Sequence, residues 1–499
     1  MGIRRPAIST AVAAALIGSL GVPIVAGTAA AKDGAKDGGA AAVGTVREDF
    51  DGDGYQDVAV TAPGAKVGGH AWAGYITVSY GSAQGIDPAR TTVITQDTPG
   101  VPGESGDDNA FGYTMVSRDL DGDGLADLAV RARSYRPDDN VNGSVIVLWG
   151  RKGGISGQDA VRVPAPANAD VGDHLTAGDF DGDGHPDLFM RNGDDYDYHD
   201  VLHGPFGRDG VPARSQQLKV YSTDNSINST AAGDFNGDGI EDLATFYVYE
   251  NHAEGGKLWL GSKSGLSTAP KALNSASSTA VADFDQDGYA DLATRIIPNG
   301  DTEGTEKDPG TLKIYYGSPS GPSQTRTQTI TQKTAGVPGA SEKGDQFGGR
   351  LSAGDANGDG YPDLAVGVPG EAIGSKAKAG AVVLLKSGKG GLTGKGAQAF
   401  HQDTAGVPGA AESGDVFGGS LRLLDVTGDG KADLTAGAPG ENLGTVVNGG
   451  AVWLLRGSAS GVTAANSTAQ NPTDIGAPAP KALFGENLSA DNGPGTRIP

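Results

Sequence analysis

Asp49-Phe50-Asp51-Gly52-Asp53-Gly54-Tyr55-Gln56-Asp57 places carboxylates at positions 1, 3, 5 and 9 of a nine-residue loop, with glycine at position 6. The same frame returns at Asp119, Asp179, Asp234, Asp283, Asp355 and Asp425, and position 6 is glycine in every copy. A ring of carboxylates closing over a glycine turn is the oxygen-donor arrangement that a hard cation of calcium size needs. Self-similarity at a near-regular interval also decides the architecture, because each copy marks one structural unit.

The expected ligands are side-chain oxygens at positions 1, 3, 5 and 9 and the main-chain carbonyl of position 7. In the first three loops these residues are Asp49, Asp51, Asp53, Tyr55 and Asp57; Asp119, Asp121, Asp123, Leu125 and Asp127; and Asp179, Asp181, Asp183, His185 and Asp187. The fourth and fifth offer Asp234, Asn236, Asp238, Ile240 and Asp242, then Asp283, Asp285, Asp287, Tyr289 and Asp291. The last two offer Asp355, Asn357, Asp359, Tyr361 and Asp363, then Asp425, Thr427, Asp429, Lys431 and Asp433. Up to seven Ca2+ ions are expected, each holding a turn rather than signalling or catalysing. Asn236, Asn357 and Thr427 are neutral at position 3, so their loops are expected to bind more weakly, the Thr427 loop most weakly. An EF-hand would carry Glu at position 12 between helices; here position 12 is apolar (Val60, Val130, Val366).

The charge balance follows from these loops. The 499-residue chain has a net charge of −23, and 25 of its 61 acidic residues occupy loop positions 1, 3, 5 and 9. The other 36 nearly balance the 38 Lys and Arg. Without cations each loop crowds like charges, which opposes compaction. The overall sign and the lack of a basic patch exclude a nucleic-acid partner. With no cysteine, disulfide scaffolds, thiolate zinc sites and cysteine nucleophiles are excluded.

Residues 1–31 read as a secretory signal peptide: Arg4-Arg5, an apolar stretch from Ala7 to Val25, then the small residues Thr28-Ala29-Ala30-Ala31. Residues 32–43 read as a flexible linker, 44–491 as the repeat domain and 492–499 as a C-terminal tail. The expected product is a secreted extracellular monomer with no transmembrane span in the mature chain.

Successive loops begin 70, 60, 55, 49, 72 and 70 residues apart, about 63 on average. After each loop comes a short apolar run such as Val58-Ala59-Val60 or Leu364-Ala365-Val366, then a variable loop, then a glycine-led strand such as Gly74-Tyr75-Ile76-Thr77-Val78. A tight turn (Gly81-Ser82-Ala83-Gln84-Gly85) leads to a more polar fourth strand such as Arg326-Thr327-Gln328-Thr329-Ile330. The predicted fold is all-β: a seven-bladed β-propeller of four-stranded antiparallel blades, with calcium loops between strands 1 and 2. Calcium loops and tight turns then share one face. Residues 64–74, 131–143, 191–200, 247–256, 297–310, 370–380 and 440–449 form variable loops on the other. Phe111, Phe347 and Phe417, each followed by glycine, stand eight residues before a loop. The first loop has Ala41 there, while Phe484-Gly485 near the C-terminus precedes no intact loop. The segment 484–490 is therefore expected to complete the first blade, with residues 43–48 as the rival filler.

The unit from Phe347-Gly348 to Val368-Pro369, and again from Phe417-Gly418 to Gly437-Ala438-Pro439, resembles the FG-GAP repeat of integrin α-subunit propellers. The resemblance covers about residues 44–491. It implies a calcium-loop propeller with an extracellular binding role on the opposite face. The blades begun by Asp179, Asp234 and Asp283 lack Phe-Gly and the Ala-Pro ending, with Arg191, Thr245-Phe246 and Thr294-Arg295 standing there.

No nucleophile elbow or phosphate-cradling loop is present, and no catalytic residue is expected. The function predicted is a non-catalytic binding or adhesion module for an extracellular protein or polysaccharide. The alternative is a polysaccharide-active lyase or hydrolase, resting on Tyr196, Tyr198, His199, Asp200 and His203. Of the four tryptophans, Trp149, Trp259 and Trp453 read as core; Trp72, beside His70 in a variable loop, is the best sugar platform.

Overall fold

The computed structural model describes residues 48–489 except 137–139, 173, 194–196 and 221–225. The signal peptide, the linker, the tail, Tyr196 and most of the rival segment 43–48 lie outside the described residues. The regular structure is almost wholly β, folded as a seven-bladed propeller of antiparallel sheets with one short parallel pairing at Asn142 and Asp170.

In blade 4 the strands run Ser226–Gly233, Asp242–Tyr249, His252–Trp259 and Lys271–Leu273, paired in chain order. Blades 3, 5, 6 and 7 repeat this plan. In blades 2 to 7 the acidic loop joins the first strand to the second; in blade 1 it leads into the second. The second strands are buried along their length, as in Asp363–Val368 and Asp433–Ala438. The outermost strands alternate, as in Arg214–Lys219, because only one of their faces meets a neighbour.

Blade 1 contributes three consecutive strands, Val58–Ala62, Tyr75–Ser79 and Thr91–Ile94. Its inner position is taken by the C-terminal segment. Thr61 N donates to Asn487 O (3.0 Å), Gly485 N to Thr61 O (3.0 Å) and Ser489 N to Ala59 O (3.0 Å), around an antiparallel bridge between Val60 and Leu488. The ring thus closes by pairing its two ends, which removes the exposed sheet edge. Phe484 is buried and stacks on Tyr75 at 6.4 Å.

Glu48 seals the same seam. This wholly buried carboxylate accepts from Arg422 of blade 7 (2.6 and 3.0 Å), Ser117 of blade 2 (3.1 Å) and Ser489 of the C-terminal strand (3.3 Å). Elsewhere small hydroxyl residues lace the inner strands together, as in Thr176 to Thr230 (2.6 Å) and Leu423 N to Ser352 Oγ (3.0 Å).

The Phe-Gly pairs now have a physical reason. Phe111, Phe347, Phe417 and Phe484 are fully buried between blades. Gly348 has φ +89°, and a Cβ there would lie 2.4 Å from Leu312. Only glycine tolerates both the left-handed backbone and the contact.

Three predicted variable loops are largely strand. In blade 2 Asp127–Arg136 and Val141–Leu148 pair out to Arg136 and Val141, so 131–143 is mostly a hairpin. In blade 4 the strands leave only Glu250 and Asn251 between them, so 247–256 is also hairpin. The run Phe246-Tyr247-Val248-Tyr249 favours extended pairing over a loop. In the 191–200 segment, Asn192–Gly193 pairs with Asp170–Val171 at the edge of the blade-2 sheet, and Tyr198–His203 is already the third strand of blade 3.

Candidate metal centre

Each acidic loop is built by its own carboxylates folding the backbone around them. In the first loop Asp49 accepts from Gly52 N (2.7 Å) and Gly54 N (2.9 Å), Asp51 from Asp53 N (3.1 Å) and Asp53 from Tyr55 N (3.1 Å). Position 9 ties the loop to its blade: Asp57 accepts from Phe50 N (2.8 Å) and from Gly81 N (2.9 Å) in the tight turn between the third and fourth strands. Asp127, Asp187 and Asp291 repeat both bonds. The glycine at position 6 has φ between +81° and +92° in all seven loops.

The loops are also locked to one another. The position-8 amide donates to the position-1 carbonyl of the preceding blade in five of seven junctions: Ala126 to Asp49 (3.0 Å), Glu241 to Asp179 (3.0 Å), Ala290 to Asp234 (3.0 Å), Ala432 to Asp355 (2.7 Å) and Gln56 to Asp425 (3.4 Å). The other two blades have Pro186 and Pro362 at position 8, which carry no N–H. The position-7 side chain covers the preceding loop. A Cβ on Gly52 would strike Leu125 at 2.7 Å, and one on Gly428 would strike Tyr55 at 2.8 Å. The position-7 side chain thus has a packing task that the reading of its carbonyl as a ligand does not include.

Among the described residues, four loops gather three carboxylates whose oxygens lie within 4.8 Å of one another: Asp49, Asp51 and Asp53; Asp119, Asp121 and Asp127; Asp179, Asp181 and Asp183; and Asp283, Asp285 and Asp291. Such groups could hold a metal ion, and the chemistry fits a hard dication. Asp285 Oδ1 is buried without a hydrogen-bond partner, a costly arrangement unless something cationic meets it. Burial, reinforced by the neighbouring loop carboxylates, pushes Asp57 and Asp291 up to about 8 and Asp242 to about 7. Bare, these acids resist ionisation; beside a dication the balance inverts.

The three remaining loops are those of Asn236, Asn357 and Thr427. The amides of Asn236 and Asn357 donate to the position-5 carboxylates Asp238 (3.0 Å) and Asp359 (2.9 Å). A second difference was not foreseen. Every loop with Asp at position 3 carries an arginine on positions 3 and 5 or on position 3 alone. Arg90 lies 3.4 Å from Asp51 and 3.1 Å from Asp53; Arg208 lies 2.6 Å from Asp121 and 2.8 Å from Asp123. Arg214 lies 2.7 Å from Asp181, and Arg326 grips Asp285 and Asp287. No arginine pairs with positions 3 or 5 of the other three loops in the ion pairs described. Arg90, Arg214 and Arg326 all stand at or immediately before the start of an outermost strand, so aligning the blades in sequence could have found them.

Among the described residues of the rival sugar-cleaving cluster, His199 and His203 stand at opposite parts of one strand. His199 is buried and stacks on Phe189 (5.2 Å, 16° between planes). His203, at the far end of the same strand, lies 2.9 Å from Asp187 and 3.3 Å from Asp181, at the acidic-loop end. Tyr198 is half-buried under Lys219. Alternation along a strand sends neighbours to opposite faces, so His199 became core. Trp149, Trp259 and Trp453 are buried and Trp72 is 41% exposed, as expected.

Comparison with known proteins agrees with this geometry. The FG-GAP repeat matches residues 40–79, 226–260, 275–296, 347–385 and 417–455, and an FG-GAP-like repeat matches 119–190. The chain is an FG-GAP repeat protein. Integrin alpha-PS5 of Drosophila melanogaster is 32% identical over 148 residues, covering 29% of this chain and 13% of its own. Phosphatidylinositol-glycan-specific phospholipase D of Rattus norvegicus is 29% identical over 205 residues, covering 40% of this FG-GAP chain. The match spans only 23% of that relative's length. Among solved structures, a lectin of Agrocybe aegerita described as recognising non-reducing terminal N-acetylglucosamine superposes with a TM-score of 0.51 at 13% identity, over 89% of this chain and 98% of the lectin. At that identity the likeness is one of fold. No described helix is long and apolar enough to cross a membrane.

Proposed function

We propose that this FG-GAP propeller is a secreted, calcium-stabilised, non-catalytic module that binds an extracellular protein or polysaccharide on the face opposite its acidic loops. The observation that carries the reading is the division of labour between the two faces. One face repeats a single acidic loop seven times, each copy hydrogen-bonded into its blade. The other carries connections that differ in length and sequence, from a two-residue tip in blade 4 to the long segment bearing exposed Trp72. Binding residues concentrate on such variable connections over a rigid scaffold.

Position 1, 3, 5 and 9 carboxylates and the position-7 carbonyls would hold the ions. Calcium, when bound, supplies charge neutralisation and a fixed set of oxygen contacts. The chain's own residues do the rest: position-9 acids pin each loop to its tight turn, and position-8 amides carry that order to the preceding blade. The integrin likeness supports recognition, as does the separation of His199 from His203 along one strand.

A glycan and extracellular-protein array, probed with and without chelator, tests the reading. The expected result is binding that falls on chelation and on Trp72→Ala, with a melting temperature lowered by EDTA. Melting unaffected by EDTA would remove the calcium part. Cleavage of an arrayed glycan would restore the enzymatic alternative.

A further inference from the structure

Blade 3 differs from the other six in one residue at or next to the C-terminal end of its third strand. That residue precedes the amide that donates to the position-9 carboxylate. It is Tyr80, Trp149, Leu260, Tyr316, Lys386 and Arg456 in the other blades, and His203 in blade 3. Only histidine in this set is a good metal ligand. Its Nδ1 lies 2.9 Å from Asp187 Oδ2 and 3.3 Å from Asp181 Oδ2, with side-chain exposures of 1%, 0% and 7%. The three donors form a compact buried group, and neither ring nitrogen makes a well-formed hydrogen bond.

We propose that the blade-3 loop takes a transition-metal dication of the zinc, cobalt or manganese class, through His203 Nδ1, Asp181 and Asp187. This rests on the reading of the loops as metal sites, but assigns this one a different ion. Calcium prefers oxygen donors alone, whereas imidazole suits the first-row metals. Donor separations near 3 Å are those of ligands sharing one ion at about 2.1 Å. Arg214 Nη2, 2.7 Å from the same Asp181 oxygen, serves as the outer partner that orients a ligating carboxylate. Gly265 leaves the ring its space, since a Cβ there would lie 3.1 Å from His203 Nε2.

The test is a Co2+ titration of metal-stripped protein in millimolar Ca2+, followed by visible ligand-field absorption and by counting both metals. The wild type should retain one equivalent of Co2+ against calcium. His203→Tyr, which installs the residue of blades 1 and 5, should weaken Co2+ binding at least about tenfold without lowering the calcium count. Wild-type protein that keeps no Co2+ against calcium, or equal retention by His203→Tyr, overturns the proposal. Should the variant not fold, spin-echo modulation from an imidazole nitrogen on wild-type protein loaded with Mn2+ supports the site, and its absence overturns it. Cobalt retained where no calcium binds would sink the calcium reading and leave this one standing; calcium bound without cobalt does the reverse.

Discussion

Replacing Arg326 by methionine should tighten calcium binding at the blade-5 loop. Ionised around a cation, the four carboxylates Asp283, Asp285, Asp287 and Asp291 carry −4, and Arg326 brings the loop to −3. The Asn236 loop reaches −3 with no arginine, because its position 3 is neutral; Lys386 beside Asp363 and Lys431 beside Asp429 take the last two loops to −2. The arginines therefore narrow the affinity gap that position 3 alone would create. Two unit charges 4 Å apart in water interact by about 1 kcal/mol. Doubling for a dication and roughly halving for a greater separation leaves about 1 kcal/mol, or about fivefold in affinity. Arg326 is half-exposed, so salt should erode the effect. Competition titration against a fluorescent chelator, at low and high ionic strength, reads it directly. The metal-free variant should also melt lower than metal-free wild type, since Asp285 and Asp287 lose their counter-ion, while the calcium-saturated proteins melt alike. Weaker calcium binding in the variant would refute the argument, for the guanidinium would then be supporting the ion rather than competing with it.

Glu48→Gln should cost about 3 kcal/mol in urea unfolding, because Arg422 loses the buried carboxylate it grips; pairing it with Arg422→Met should cost less than the sum of the two single changes. Phe484→Ala should cost about 3–5 kcal/mol by emptying a fully buried site at the ring seam, read as a lower melting temperature; an effect below about 0.5 kcal/mol would mean that the C-terminal strand does not close the ring. On the opposite face, burial and then the nearby Asp415 push Glu441 up to about 7. Its folded form holds the proton more tightly than its unfolded form, so its stabilising contribution is full below the unfolded value near 4.5 and lost as pH rises through about 7. Glu441→Gln keeps the bond from Gln402 Nε2 and should gain about 1–2 kcal/mol at pH 8, after discounting for partial exposure, with no gain near pH 4 in a pH series of melts.

The repeat was legible because the nine-residue loop is a local device. Most of its carboxylate bonds reach amides two to seven residues away, so the pattern and the structure are nearly the same object. The closing strand was legible for the opposite reason: Phe484-Gly485 is left without a loop after it, while the first loop has no Phe-Gly before it. What stayed hidden depends on distance in the chain. Arg208 reaches Asp121 from the next blade, 87 residues on. Glu48 sits one residue before the first loop, yet meets Arg422 across 374 residues. His199 and His203 looked like one cluster because they are four apart, but a strand rises about 3.3 Å per residue, so four residues carry His203 some 13 Å along to the acidic loop. The misread hairpins share this cause. Phe246-Tyr247-Val248-Tyr249 has strong strand preference, but whether such a run pairs or loops out depends on the facing segment, and that is fixed only once the blades are assembled. Spacing within a repeat thus reports what each blade does for itself, while the charges that set one loop apart from another come from neighbours that no single repeat contains.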